Sequence, residues 1–92
     1  MTESAPDLSI IIPAYNEEQR LPGTLEKIAA FLQNEPTSAE VVVVDDGSSD
    51  NTVVVAESFR GKLPQLRVIS NGTNRGKGYS VRNGSLQARG QS

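Results

Sequence analysis

The chain contains no cysteine, no histidine and no tryptophan, and its only aromatic residues are two tyrosines and two phenylalanines. Without cysteine there is no disulfide framework, and without cysteine and histidine the usual zinc and iron ligands are missing. Oxygen ligands remain, so a metal site would have to suit a hard cation such as Mg or Mn. The shortage of aromatic residues also argues against a stacking surface for single-stranded nucleic acid.

Long apolar runs are absent as well. The longest, Ile10–Ile12 and Val41–Val44, are far shorter than the ~18–20 residues that span a bilayer. Met1–Asp7 shows no basic-then-apolar signal pattern, so we expect a disordered leader over residues 1–7 and a cytoplasmic protein. A net charge of -2, from nine basic and eleven acidic residues, lacks the footprint of a duplex-binding domain. No nucleic-acid partner is therefore expected.

The remaining apolar residues alternate between strand-like runs and helix-like spacing, with short links between them. The four consecutive valines at Val41–Val44 are typical of a strand that helices cover on both faces. We predict, in order, a strand at Leu8–Ile12, a helix at Leu21–Leu32, a strand at Val41–Val44, a helix at about Thr52–Phe59 capped by Ser49 or Asp50, a strand at Leu66–Ile69, and a helix at about Tyr79–Ala88 broken at Gly84.

This alternation predicts one α/β domain, a Rossmann-like parallel sheet of βα units. Sheets of this kind bind ligands beyond the carboxyl ends of their strands. Candidate site residues are therefore expected in the loops that follow Ile12, Val44 and Ile69.

The first loop begins with Pro13, and an aromatic residue and two carboxylates follow it. Tyr15 can offer a flat face to a planar ring. Alternatively, Tyr15 packs on the first helix, while Glu17 and Glu18 favour the positive N-terminal end of that helix. This loop alone leaves both interpretations open.

In the second loop, Asp45 and Asp46 follow the buried strand directly. Two adjacent carboxylates at a buried strand end are costly unless donors satisfy them, and an imide N–H, a sugar hydroxyl or a metal-bound water could do so. A turn and helix cap, with Gly47 at positive φ, would explain Ser48–Asp50 but needs only one aspartate. We therefore predict that Asp45 and Asp46 bind a ligand.

The third loop, Asn71–Gly78, is rich in glycine and carries two cations, Arg75 and Lys77. It has three residues rather than four between its first glycine and the Gly-Lys pair, so it is not a P-loop. Val81 stands where a dinucleotide fingerprint needs Gly or Ala. The loop is either a flexible backbone with cations for an anionic ligand or an exposed basic turn.

Three segments together resemble the beginning of the family 2 glycosyltransferases: Ser9–Glu18, Val41–Thr52 and Asn74–Gly78. The nearest resemblance is to the dolichyl-phosphate and polyprenyl-phosphate glucosyl- and mannosyltransferases, and it covers nearly the whole chain from Leu8. It implies a GT-A fold with strand order 3-2-1 that binds a nucleotide-diphospho-sugar, either UDP-linked, as in UDP-glucose, or GDP-linked, as in GDP-mannose.

The resemblance also assigns roles to residues in all three loops. In the first loop, Pro13 and Tyr15 would line the base pocket, and Glu17 would approach the ribose or the base. Asp46 would accept a hydrogen bond from the base imide, with Asp45 beside it, and the third loop would border the nucleotide. The implied nucleotide-sugar-binding residues are Pro13, Tyr15, Glu17, Asp45, Asp46, Gly76 and Lys77.

The family continues with an Asp-x-Asp motif that holds a divalent metal, and later with a catalytic base and an acceptor site. This chain has no Asp or Glu after Glu57, so we expect no catalytic residue and no metal ligand in it, and Mg or Mn only in the full-length enzyme. Residues 8–92 would be the N-terminal nucleotide-sugar-binding part, truncated before that motif and inactive alone. The full-length protein would transfer a hexose to a polyprenyl or dolichyl phosphate or another acceptor and associate with a membrane. In the isolated chain, the first strand would form an unpaired edge of the sheet, and this edge would favour self-association.

Two other classes remain open at this point. A receiver-like signalling domain also places paired acids after a run of Val or Ile, but there the pair ends the first strand rather than the second. The second class is a non-catalytic α/β interaction module, whose behaviour would not change on substitution of Asp46.

Overall fold

The computed structural model describes residues 7–34 and 38–88. Strands and helices alternate as the sequence predicts, in three βα units. Residues 1–6 of the predicted leader lie outside the described residues. The elements are β1 (Leu8–Ala14), α1 (Leu21–Gln33), β2 (Ala39–Asp45), α2 (Thr52–Glu57), β3 (Leu66–Ser70) and α3 (Lys77–Gln87).

The three strands form one parallel sheet in the order β1-β2-β3. The predicted fold class and the order 3-2-1 are confirmed. Because β2 lies in the middle and both of its faces are covered, Val41–Val44 are at most 1% exposed. This burial accounts for the unbroken run of valines, since a strand with two covered faces has no solvent side for polar residues.

The main hydrophobic core lies on the face of the sheet that carries Val41 and Val43. Apolar residues of α1 and α2, and of the turn after α2, pack against this face, among them Leu25, Ala56 and Phe59. Helix α3 lies against the opposite face, where Ile11 and Val44 meet it at Gly84. The two helix layers thus leave the carboxyl edge of the sheet to the three loops.

Helix α3 begins at Lys77, earlier than predicted, and it continues through Gly84 without a break. A Cβ atom at Gly84 would lie 2.6 Å from Cγ2 of Ile11 and 2.9 Å from Cγ2 of Val44. Gly84 therefore allows the helix to approach the sheet closely, and tertiary packing overrides its poor helix propensity.

Two further predictions need correction at the element ends. Strand β1 continues through Pro13 to Ala14. It is an edge strand of the described sheet, and an edge strand tolerates a proline because the residue lacks only the backbone N–H that would donate to a neighbouring strand. Helix α2 ends at Glu57, and its N-cap is Asn51 rather than Ser49 or Asp50, although Oδ1 of Asp50 still accepts the Thr52 N–H at 3.0 Å. Within residues 7–34 and 38–88, no helix has the length and apolar character needed to cross a membrane.

The contact at Gly84 predicts an asymmetry between two helix glycines. Gly84→Ala should lower the free energy of unfolding by ~1–3 kcal/mol, because the added methyl overpacks against the sheet. Gly23→Ala in α1 is the matched control, since a Cβ there meets no atom within 4 Å, and it should leave stability unchanged or slightly raised. Urea denaturation of the two variants measures both effects, and equal stabilities would contradict this packing.

Candidate functional site

The three predicted loops meet at the carboxyl edge of the sheet around a cavity of about 170 Å³, here called the edge cavity. Its lining includes residues from all three loops and one buried serine of α3. Most of the predicted site residues are thereby brought together. The lining residues are Pro13, Ala14, Tyr15, Glu17, Asp46, Lys77 and Ser80.

Hydrogen bonds with the second loop, and with Thr52 at the start of α2, hold the first loop in place. The backbone N–H of Asn16 donates to Oγ of Ser48 at 2.9 Å, and the N–H of Ser49 donates to Oδ1 of Asn16 at 2.8 Å. The N–H of Glu17 donates to Oγ1 of Thr52 at 2.9 Å. Asn16 has a φ of 52°, a left-handed conformation that asparagine tolerates better than most residues. Gly47 adopts the positive φ predicted for it, but the Ser48 hydroxyl holds the neighbouring loop rather than capping α2.

Asp46 is only 4% exposed, and hydrogen bonds within the protein satisfy most of its carboxylate. Oδ1 accepts from Nδ2 of Asn71 at 2.7 Å and from the N–H of Arg75 at 2.7 Å, while Oδ2 accepts from the N–H of Gly76 at 2.9 Å. The Asn71 side chain first, and then the Arg75 N–H, hold the pKa of Asp46 below its ordinary value of 3.8, against the opposing effect of burial. A carboxylate has about four acceptor sites, so Oδ2, which accepts one backbone N–H, has room for a further donor, either the Ser80 hydroxyl or a ligand.

Asp45 is equally buried, at 5% exposure, but it does not line the edge cavity. Its Oδ2 accepts from the N–H of Ser48 at 3.3 Å, which places the carboxylate at the turn. Oδ1 is buried, and no donor in the described part of the chain reaches it. The two adjacent aspartates therefore occupy different environments, because successive residues at a strand end point to opposite faces.

The third loop lies against the second at Gly47. A Cβ atom there would come within 2.8 Å of the backbone N of Asn74, so only glycine permits this approach. Gly76, with a φ of 95°, is the N-cap of α3 and sets Lys77 beside the edge cavity. Arg75 points to the Tyr79 ring instead, with its guanidinium carbon 5.2 Å from the ring centroid.

Several residues that organise the site were missed by the sequence reasoning. Asn71 holds Asp46, Ser80 lines the cavity and Asn83 holds Asn71. Asn71 could have been found, because it follows β3 directly at the same edge as the two aspartates. Ser80 and Asn83 belong to no motif, and only their helical spacing relative to Gly84 places them near the sheet.

The described residues contain no group of three or more His, Cys, Asp or Glu side chains that could hold a metal ion. Asp46 already accepts three N–H donors, and Asp45 does not line the cavity. These residues therefore do not fit a complete site for the divalent ion that the resemblance implies. A separate apolar hollow of about 240 Å³ lies at the opposite edge of the sheet, lined by residues that include Ala29, Leu63 and Gln65.

Comparison with known proteins gives a family match over most of the chain. The family described as "Glycosyl transferase family 2" matches residues 9–91. The dolichyl-phosphate beta-glucosyltransferase of Drosophila melanogaster is 48% identical over 92 residues, covering 92% of this chain and 28% of the relative. Its Homo sapiens counterpart is 41% identical over 91 residues, covering 91% of this chain and 28% of the relative. The chain thus spans little more than a quarter of the length of these relatives.

Solved structures show the same fold. Staphylococcus aureus TarS 1-349 in complex with UDP-GlcNAc is 40% identical, with a TM-score of 0.83, and the match covers 91% of this chain and 24% of TarS. Mannosyl-3-phosphoglycerate synthase from Rubrobacter xylanophilus is 26% identical, with a TM-score of 0.76, over 92% of this chain and 28% of the synthase. The mannosyltransferase PcManGT from Pyrobaculum calidifontis was solved with GDP-Man and Mn²⁺. It is 24% identical, with a TM-score of 0.69, and the match covers 92% of this chain and 25% of PcManGT. This similarity supports the fold alone. The predicted GT-A fold is confirmed.

The unequal environments of the two aspartates generate a second prediction. Asp46→Asn should lower the unfolding temperature at neutral pH more than Asp45→Asn, because the new amide turns an NH₂ group toward the N–H of Arg75 or Gly76. The folded pKa of Asp46 lies below the unfolded one, so its stabilisation is complete above pH 3.8 and is lost as the pH falls through the folded value.

Thermal unfolding followed by circular dichroism from neutral to acidic pH measures this difference. The unfolding temperature of Asp46→Asn should fall less between neutral and acidic pH than that of the unsubstituted chain. The unfolding temperature of Asp45→Asn should fall with pH as it does in the unsubstituted chain. Identical pH profiles for the unsubstituted chain and Asp46→Asn would contradict the role of the Asp46 carboxylate.

Proposed function

The chain belongs to glycosyl transferase family 2, and from that premise we propose that it forms the nucleotide-binding part of an enzyme that transfers a hexose from a nucleotide-diphospho-sugar. The edge cavity supports this function, because Pro13, Tyr15, Glu17, Asp46 and Lys77 lie together in its lining. These residues combine an aromatic face, acceptors and a cation at the edge where parallel sheets bind ligands.

The cavity suits the nucleoside end of such a donor. Tyr15 is 46% exposed, so its ring is free to stack on a planar base. The remaining acceptor site of Asp46 would take the imide N–H of uracil or guanine, and the lowered pKa keeps this carboxylate ionised and purely an acceptor at neutral pH. Glu17 would accept a hydrogen bond from the ribose or the base, and Asp45 would support the pocket from beneath the turn.

The diphosphate end calls for positive charge, and Lys77 is the cation that lines the cavity. Gly76 beside it has no side chain, so phosphate oxygens could approach the first turn of α3, although the Gly76 N–H itself is donated to Asp46. A volume of about 170 Å³ is below the ~300–1,000 Å³ typical of complete ligand sites, so it would hold only part of a nucleotide-sugar. The sugar would lie outside these residues. A bound Mg or Mn would neutralise the diphosphate leaving group, with its ligands outside the described residues.

The relatives favour a particular pair of substrates. Those at 41–48% identity are named dolichyl-phosphate beta-glucosyltransferases, which supports glucose as the sugar and a dolichyl or polyprenyl phosphate as the acceptor. TarS, at 40% identity, was solved with UDP-GlcNAc, which favours a UDP-linked donor over a GDP-linked one. A lipid acceptor would bring the whole enzyme to a membrane surface from the cytoplasmic side.

Residues 8–92 would be the N-terminal nucleotide-sugar-binding part, which binds the donor but transfers no sugar alone. The coverage of only 28% of the length of the two glucosyltransferase relatives supports this division. Strand β1 lies at the edge of the described sheet, and its outward backbone groups could pair with a second copy in isolation. No observation favours a receiver domain, whose paired acids end the first strand rather than the second.

Stacking on Tyr15 gives the proposal a direct test. Tyr15→Ala should weaken the binding of UDP by about 5- to 160-fold, because base–aromatic stacking contributes ~1–3 kcal/mol. Phe31→Ala is the matched control, since this ring is also exposed, at 54%, but lies near the far end of α1. Isothermal titration with UDP and GDP compares the variants. Equal affinities for both variants, or no nucleotide binding by the unsubstituted chain, would contradict the proposal and favour a non-catalytic interaction module.

A further inference from the structure

A chain of three side-chain amides runs along α3 and ends on the Asp46 carboxylate. Nε2 of Gln87 donates to Oδ1 of Asn83 at 2.8 Å, and Nδ2 of Asn83 donates to Oδ1 of Asn71 at 2.7 Å. Nδ2 of Asn71 then donates to Oδ1 of Asp46 at 2.7 Å. Asn83 and Asn71 each accept through the oxygen from the amide nearer the C-terminal end of α3 and donate through the nitrogen toward the site, so the chain has one direction.

The amide nitrogen and the carbonyl oxygen of the Asn71 side chain both have hydrogen-bond partners in this arrangement. Its nitrogen also donates to Oγ of the buried Ser80 at 2.8 Å, so both amide hydrogens and the carbonyl oxygen have partners. Rotating the amide by half a turn would set its oxygen against the Asp46 carboxylate and its nitrogen against the Asn83 nitrogen. The two ends of the network therefore fix the orientation of Asn71.

This orientation is transmitted to the loop that borders the edge cavity. Asp46, oriented by Asn71, accepts the N–H groups of Arg75 and Gly76, and Gly76 begins α3. Oγ of Ser80 donates in turn to the carbonyl of Gly76 at 3.2 Å, which closes a ring through Asn71, Asp46 and Gly76. Lys77 follows Gly76 directly, so its backbone position depends on this ring.

We propose that Asn71 is a positioning residue of the nucleotide site, whose side-chain amide fixes both the Asp46 carboxylate and the Gly76–Lys77 backbone for the ligand. This inference rests on the proposed function, and it assigns Asn71 no contact with the nucleotide. Substitutions at Asn71 should change the pKa of the Asp46 carboxylate and the order of the Gly76–Lys77 backbone. Nucleotide affinity should fall as a consequence of these two changes.

Asn71→Asp tests the donor role with almost no change in shape. The substitution places a second carboxylate beside Asp46, and two carboxylates at that distance hold one proton at a raised pKa. The other charged groups around this point are Glu17 and Lys77, which line the cavity, Asp45 on the adjacent turn, and the Arg75 guanidinium over Tyr79. None of these is paired with Asn71, so the new carboxylate should titrate mainly against Asp46.

The experiment compares the unsubstituted chain with Asn71→Asp, Asn71→Ala and Asn83→Ala. Asn34→Asp, at the far end of α1, is the control for an added charge. UDP affinity is measured by isothermal titration at about pH 7 and about pH 5, bracketing the raised pKa of such a pair. The pKa of Asp46 is measured by carboxyl-carbon NMR, and the hydrogen exchange of the Gly76 amide by proton NMR.

Asn71→Ala should weaken UDP binding about tenfold or more, because a hydrogen bond to a charged group is lost. It should also raise the pKa of Asp46 and speed exchange at Gly76. Asn71→Asp should bind poorly at about pH 7 and regain affinity at about pH 5, when a shared proton restores the hydrogen bond. Asn83→Ala should change the same quantities in the same direction but less, and it remains informative if substitutions at Asn71 prevent folding.

Asn71 variants that keep the affinity, the Asp46 pKa and the Gly76 exchange of the unsubstituted chain would overturn the inference. So would an Asn71→Asp affinity that shows the same pH dependence as Asn34→Asp. Absence of UDP binding by the unsubstituted chain would instead contradict the proposed function, and the Asp46 pKa and Gly76 exchange would still decide whether Asn71 positions the loop.

Discussion

The carboxyl edge of this fold depends on one buried charge, the carboxylate of Asp46. An ionised group with 4% exposure is stable only if donors surround it, and the protein supplies them from Asn71, Arg75 and Gly76. Its own N–H donates to the carbonyl of Ala14 at 2.9 Å, so the same residue also extends the pairing with β1. Satisfying Asp46 therefore brings the ends of all three strands into one place.

The sequence predicts the frame of this site better than its internal bonds. The run Val41–Val44 indicates a central strand because only a strand with two covered faces is apolar at every position. Loop positions follow from that frame, which is why residues from three separate segments could be placed at one edge. The last helix was predicted, but not its continuity through Gly84, because propensity describes an isolated helix and not the sheet against which this glycine packs.

The difference between Asp45 and Asp46 shows where the sequence is silent. Both were predicted to face a ligand, and both are buried, but only Asp46 lines the cavity and only Asp45 has an oxygen without a donor in the described residues. Which aspartate turns to which side depends on where β2 ends and on the approach of the third loop over Gly47. No motif encodes either feature, and the polar partners Ser80 and Asn83 are common residue types without a diagnostic spacing.

The central claim is that the edge cavity binds the nucleoside end of a nucleotide-sugar. Titrating isotope-labelled protein with UDP and following backbone amide shifts by NMR tests it most directly. The largest shifts should fall at Tyr15, Asp46, Gly76 and Lys77 and should saturate with UDP concentration. Shifts centred instead on the apolar hollow at Leu63 and Gln65, or no saturable shifts at millimolar UDP, would contradict it.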